Sequence, residues 1–335
     1  MKSPMTQEQR YIKMTETPIS RLIPSLAIPT IISMLVTSIY NMADTFFVSR
    51  IGTSASAAVG VSYSLMSMIQ ALGFTLGMGS GNYLSRVLGS RDEEKAERIA
   101  STGFYSAILI GLLFAVVCLP NLDVLVRLLG ATDTIAPYAK DYAKYILIAA
   151  PVMTGSLAMN NLLRFQGLAV YAMIGITTGG ILNMILDPIF IFGLDLGISG
   201  AALATALSQC ISFGILFFQS LLRKDCVHLK PGKITLSLAL YGEILHGGIP
   251  SLCRQGIASI ATAALNLAAN PFGDAAIAAL SIVSRYMMFI GSAMIGFGQG
   301  FQPVCGFNFG AKRYDRVLES FWFCVKVSVV FLAVL

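Results

Sequence analysis

Asn183 and Asp187 stand four residues apart, and Pro188 follows at once. On a helix that spacing puts the amide and the carboxylate on one face. Proline brings no backbone N–H, so the carbonyl of Met184 loses its usual partner. The segment therefore gathers a carboxylate, an amide oxygen and a freed carbonyl, three hard oxygen ligands suited to a proton or a small cation. It lies inside an apolar run from about Tyr171 to Leu194, long enough to cross a bilayer. A charge at that depth costs roughly 2.5–3.5 kcal/mol on insertion scales, so an intramembrane Asp signals function.

Few other ionisable or polar groups fall at such depth. Asp44 lies near the far end of the first apolar run, with Asn41 three residues before it on the same face. Thr205 and Ser208 come one run after Asp187. Later in the chain, Arg254, Gln255 and Arg285 are expected to line a cavity, or, for the cations, to snorkel to the interface. The competing reading for Asp44 and Asp187 is a hydrated carboxylate at a helix end. Two sites of ligand chemistry find no support: the six cysteines form no Cys-x-x-Cys pair, and His228 and His246 have no ligand-spaced companion. The cysteines are expected to be small buried hydrophobes.

The elements that hold these groups follow from composition. The chain is 56% hydrophobic and 12% charged, against about 25% charged in soluble domains. An all-α polytopic membrane protein is expected, its partners the lipid bilayer and small molecules. Nucleic acid is excluded, because the basic residues form no stripe. Apolar spans run at roughly 22–47, 55–79, 99–119, 138–161, 170–194, 197–222, 244–268, 275–301 and 317–335. The first is too long for a cleavable signal. Sixteen loop Lys and Arg residues, Arg164 among them, fall on one side and three on the other, which places the N-terminus in the cytoplasm of a cell with the protein in its inner membrane.

The two parts of the chain repeat. An offset of 221 residues carries Pro29 to Pro250, Gly79 to Gly300 and Gly89 to Gly310 without a gap. Each unit holds six spans, so the copies run parallel about an axis along the membrane normal. The chain is expected to divide into an N-terminal mobile tail (1–20), a first six-helix lobe (21–222), a connector with a short surface helix (223–243) and a second lobe (244–335) truncated in its third helix. Two whole repeats need about 442 residues, twice the offset, so this sequence reads as a fragment of a twelve-helix protein. Leu265 matches Asp44, so the lobes differ chemically.

Taken together, several segments resemble the multidrug and toxic compound extrusion family, closest to its prokaryotic damage-inducible-protein-F branch. They are Pro29 with Asn41-Met-Ala-Asp44, Gly89-Ser-Arg-Asp, Asn183 to Pro188, Gly197 to Thr205, and Gln302-Pro303 with Gly306 to Lys312. The resemblance covers residues from about 18 to the end. It implies two six-helix lobes around a cleft and export of organic cations driven by inward H⁺ or Na⁺ flow. It implies a cation site at Asp44, Asn183, Asp187 and Thr205, with Tyr40 and Asn160 nearby, and Na⁺ at Asp44, Asn183 and Asp187 as the one metal ion in question. It implies bending of the first helix at Pro29, with no enzyme activity and no cofactor. The acidic residue that another branch carries in the seventh span is absent here, where Gln255 and Ser259 stand. With what the resemblance implies, the reading is a monomeric cation-coupled multidrug antiporter. The alternatives are a lipid-linked-precursor flippase of related architecture, which Arg254 and Arg285 leave open, and an intramembrane aspartyl protease, whose Gly-x-Gly-Asp setting the sequence lacks.

Overall fold

In hydrocarbon each backbone N–H and C=O must find its partner within the element, so long apolar runs become helices. A computed structural model of the chain describes residues 6–223, 225–269 and 274–334, and every regular element among them is helical. The order is α1 (Gln7–Glu16), α2 (Ile19–Ser49), α3 (Thr53–Gly89), α4 (Glu93–Cys118), α5 (Leu122–Leu128), α6 (Ala136–Phe165), α7 (Ala169–Pro188), α8 (Gly197–Leu222), α9 (Leu238–Ala269), α10 (Asp274–Gly310) and α11 (Tyr314–Val334). Among the described residues six helical segments are long and apolar enough to cross a membrane. They match the first six expected spans, and α9, α10 and α11 coincide with the last three. The protein is an all-α polytopic membrane protein.

The first lobe packs around α6, which is buried along most of its length between α3, α4, α7 and α8. Small residues make this possible: Thr154 and the carbonyl of Ala150 occupy the space a side chain at Gly111 would need. The second lobe approaches the first closely enough for backbone to meet backbone. A Cβ on Gly79 would strike the Ile244 carbonyl, and one on Gly300 would come within 2.5 Å of the Ala27 Cα. Likewise Gly89 abuts the Phe307 carbonyl and Gly310 the Arg86 carbonyl. The 221-residue offset turns the contact of Gly89 with Phe307 into that of Gly310 with Arg86, and the contact of Gly300 with Ala27 into that of Gly79 with Gly248, whose N lies 3.1 Å from the same Cβ position. Gly306 packs on Ser85, its own repeat equivalent, and so marks the pseudo-two-fold axis.

Three expectations need correction. The N-terminal stretch carries a helix rather than being mobile throughout. Thr6 and Gln9 form a capping box that starts α1, and Met14 and Thr15 are fully buried. The far end of this helix is held by the second lobe. Asn308 donates to the Met14 carbonyl at 3.1 Å, Arg313 to Thr15 at 3.1 Å and Arg316 to Thr17 at 2.6 Å. Its other side meets the first lobe, where Arg91 stacks 4.0 Å from the Tyr11 ring centroid. Among its described residues the connector forms no surface helix of its own either. It holds one 3-10 turn at Pro231–Lys233, and its leucines enter α9 from Leu238 onward. Side chains of α4 compete successfully for its backbone: Ser101 accepts from Lys230 N and Thr102 from Thr235 N, while Glu97 pairs with the Lys230 ammonium at 3.0 Å. The cysteines are all unpaired, but Cys210 and Cys253 are exposed rather than buried.

Candidate functional site

Helix α7 carries Asn183 and Asp187 on the face that packs against α2 and α8. Gly179 and Gly180 permit that packing: Tyr40 and Val36 of α2 lie where a side chain on Gly180 would go. The expected i, i+4 pair is formed. Asn183 Nδ2 donates to Asp187 Oδ1 at 3.2 Å and to Thr205 Oγ1 of α8 at 3.2 Å. Asp187 is 0% exposed and Asn183 2%. Three oxygens in this region are buried without a hydrogen-bond partner: Asp187 Oδ2, Asn183 Oδ1 and Asp44 Oδ1. Asp44 lies close enough for its charge to act on Asp187 and on Tyr40. An oxygen acceptor left bare in the interior is costly, and a small hard cation or a proton satisfies such acceptors.

Pro188 does not end the helical course. The chain passes from α7 into one π turn, Ile189–Gly193, with Leu194 N bonding the Ile189 carbonyl at 2.9 Å. Proline cannot donate to the Met184 carbonyl, and the N–H of Ile189 turns to the Leu186 carbonyl where the π turn begins. Helix α2 likewise runs unbroken through Pro24 and Pro29, and Ser33 Oγ donates to the Pro29 carbonyl at 2.9 Å.

Below the oxygens, a cavity continues through the first lobe, lined by Tyr40, Gln70, Asn160, Arg164, Asn183 and Thr205 among others. Asn160 belongs to it and also ties α6 to α7 through the Ala172 carbonyl at 2.9 Å. Asn41 is half-buried on α2, and its carbonyl accepts from Thr45. Arg254 lines a separate cavity with Arg86, His246 and Phe301, and Gln255 borders a groove with Tyr63 and Leu252. The side chain of Arg285 lies outside the described residues.

Two residues escaped the sequence reading. Tyr142 of α6 is buried beside Thr205, Asp44 and Asp187, and its hydroxyl donates to Met66 Sδ at 3.8 Å. Arg164 was counted among the loop cations, but it is 2% exposed inside α6 and reaches α10. Removing it leaves 15 loop cations against 3, which keeps the sign of the bias. Its place near a helix end resembles a loop position, and nothing local announces acceptors 135 and 138 residues away.

The MatE family profile matches residues 29–189 and 250–335. A multidrug export protein, MepA of Staphylococcus haemolyticus, is 29% identical over 98% of this chain and 72% of its own length. MepA of Staphylococcus aureus is 30% identical over 92% of this chain and 68% of its own. A solved structure described as MATE in the straight conformation superposes with a TM-score of 0.91 at 29% identity, covering 97% of this chain and 73% of the other.

Proposed function

Because this chain belongs to the MatE family, we propose that it exports drug-like organic cations in exchange for an inward-flowing cation, H⁺ or Na⁺. Its relatives named as multidrug export proteins support export. The coupling rests on one observation: the buried oxygens of Asp44, Asn183 and Asp187 that lack a hydrogen-bond donor. Asp44 and Asp187 bind the coupling ion, and Asn183, fixed by Thr205, orients Asp187. An organic cation and the ion neutralise the same carboxylates and therefore exclude one another. Rocking of the lobes about their glycine-lined contact alternates access. No cofactor takes part, the working unit is the monomer, and the chain sits in the inner membrane with its N-terminus in the cytoplasm, as the loop cations favour.

The test is ethidium efflux from vesicles carrying the protein, with pH and sodium gradients imposed separately. Efflux driven by one gradient supports the coupling. Efflux indifferent to both, in vesicles that still export, refutes it.

A further inference from the structure

Arg164 joins the first-lobe cavity to the opposite lobe by hydrogen bonds. One terminal nitrogen donates to Gln299 Oε1, and the other to Gln302 Oε1 at 3.4 Å, both on α10. The second also donates to Asn161 Oδ1 at 2.5 Å, and the guanidinium carbon lies 5.3 Å from the Phe165 ring centroid. Its Nε is buried with no acceptor. All these acceptors are neutral amides, and no carboxylate lies within ion-pair distance of Arg164 among the described residues. The cation is thus buried without a counter-charge, and it lines the same cavity as Asn183 and Thr205.

The cavity's length follows from α7. Asn160 binds Ala172, and Asn183 lies 183 − 172 = 11 residues further on, about 16 Å at 1.5 Å per residue. Arg164 sits one turn of α6 beyond Asn160. A cation that enters this cavity on its way to Asp44 and Asp187 therefore passes a second, fixed cation.

We propose that Arg164 is a charge-sensing latch: a cation in the first-lobe cavity weakens its hold on Gln299 and Gln302 and so releases the two lobes. The idea rests on the export reading for the arrival of that cation. Like charges in such a space repel, and the long side chain relieves the repulsion by swinging out of the cavity. That swing breaks both bonds to α10. Neutral acceptors suit a contact that must open repeatedly, because separating a buried ion pair would strand a second charge. Arg164 acts through the lobe contact and touches no reacting group, so it is a positioning residue.

Spin labels at Glu94→Cys and Glu319→Cys, with the six native cysteines replaced, report the separation of the lobes. Tetraphenylphosphonium is the cationic probe and triphenylphosphine oxide its neutral counterpart. In the wild type the cation is expected to raise the long-distance population about threefold or more, a differential-affinity effect, and the oxide to leave it unchanged. Arg164→Gln and Gln299→Leu should show the long distance without any probe, whereas Arg164→Lys, which keeps the charge, should still respond to the cation. Short distances in ligand-free Arg164→Gln and Gln299→Leu, or an equal response to the neutral oxide, would overturn the proposal. Should Arg164→Gln fail to fold, Gln299→Leu and Arg164→Lys decide alone. If equilibrium dialysis finds no tetraphenylphosphonium binding to the wild type, the export reading falls. The latch then stands on long distances in the ligand-free variants and falls on short ones.

Discussion

Replacing Asp187 by Asn tests the coupling site with little change in shape. The new side chain has nearly the same volume, and its amide oxygen can still accept from Asn183 Nδ2, so the α7–α8 link through Thr205 survives. What disappears is one negative charge at a position with no exposure. A cation about 4 Å from that charge gains about 4 kcal/mol at an effective dielectric near 20. At about 1.4 kcal/mol per tenfold, that is close to a thousandfold in affinity. Asp44, whose Oδ1 is also bare, leaves a weak residual site. Gradient-driven ethidium efflux should therefore fall by roughly a hundredfold or more at equal membrane abundance, and sodium or proton uptake should fall with it. Thr205→Val serves as the graded control. It removes one acceptor from Asn183, worth about 0.5–1.5 kcal/mol, and should cost tenfold at most. Wild-type efflux by a well-inserted Asp187→Asn protein, or a larger loss in Thr205→Val, would refute the reasoning.

Asp44→Asn should likewise impair efflux, whereas polar substitutions at Leu265, the half-exposed repeat equivalent on α9, should not; equal sensitivity at both positions in the same vesicle assay would remove the first lobe's special role. Gly79→Ala should weaken the lobe contact by about 1–3 kcal/mol, the usual cost of overpacking, because its Cβ meets the Ile244 carbonyl; a lower thermal midpoint, or a longer distance in the spin-label pair, checks this. In the connector, burial pushes the Asp225 carboxyl up, but two hydrogen bonds and the charge of Arg223 hold it below its ordinary value overall. Its stabilisation is thus present above the ordinary carboxylate range, about 3.9 for Asp, and is lost as pH falls through the lower folded value. Asp225→Asn should flatten the acid limb of stability against pH, measured by hydrogen exchange in residues 225–237, and an unchanged limb would contradict the pairing.

The helices were legible because bilayer thickness fixes their length and lipid forbids other backbone arrangements. Asn183 and Asp187 were legible for the same kind of reason: four residues is a helical neighbour spacing, and Thr205 follows on the next antiparallel span. The offset that aligned the glycines also relates contacts across the axis once the structure shows them, such as Gly89 on Phe307 with Gly310 on Arg86. Arg164 was misread, since a lone cation near a helix end looks like a loop residue until Gln299 and Gln302 are brought to it by tertiary packing. The docking of α1 was hidden similarly. Its anchors, Asn308, Arg313 and Arg316, lie about 300 residues downstream and bind backbone carbonyls that any sequence would offer. The π turn after Pro188 had a local cause, but proline alone does not say whether a helix stops or widens.

The contact at Ser85 and Gly306 has a consequence of another kind. A residue that packs on its own equivalent is the mark of an isologous surface, the type that joins two identical subunits across a two-fold axis. Each half of this chain therefore presents to the other a face that suits a copy of itself. Such a face constrains both halves together: a side chain gained at Gly89 must be accommodated beside Phe307, and one gained at Gly310 beside Arg86. A six-helix unit bearing this face once could pair with its twin without any further surface. The single chain behaves as a dimer whose subunits have been fused. Fusion then frees one subunit to hold the carboxylates of Asp44 and Asp187 while the other keeps Leu265 at the matching position.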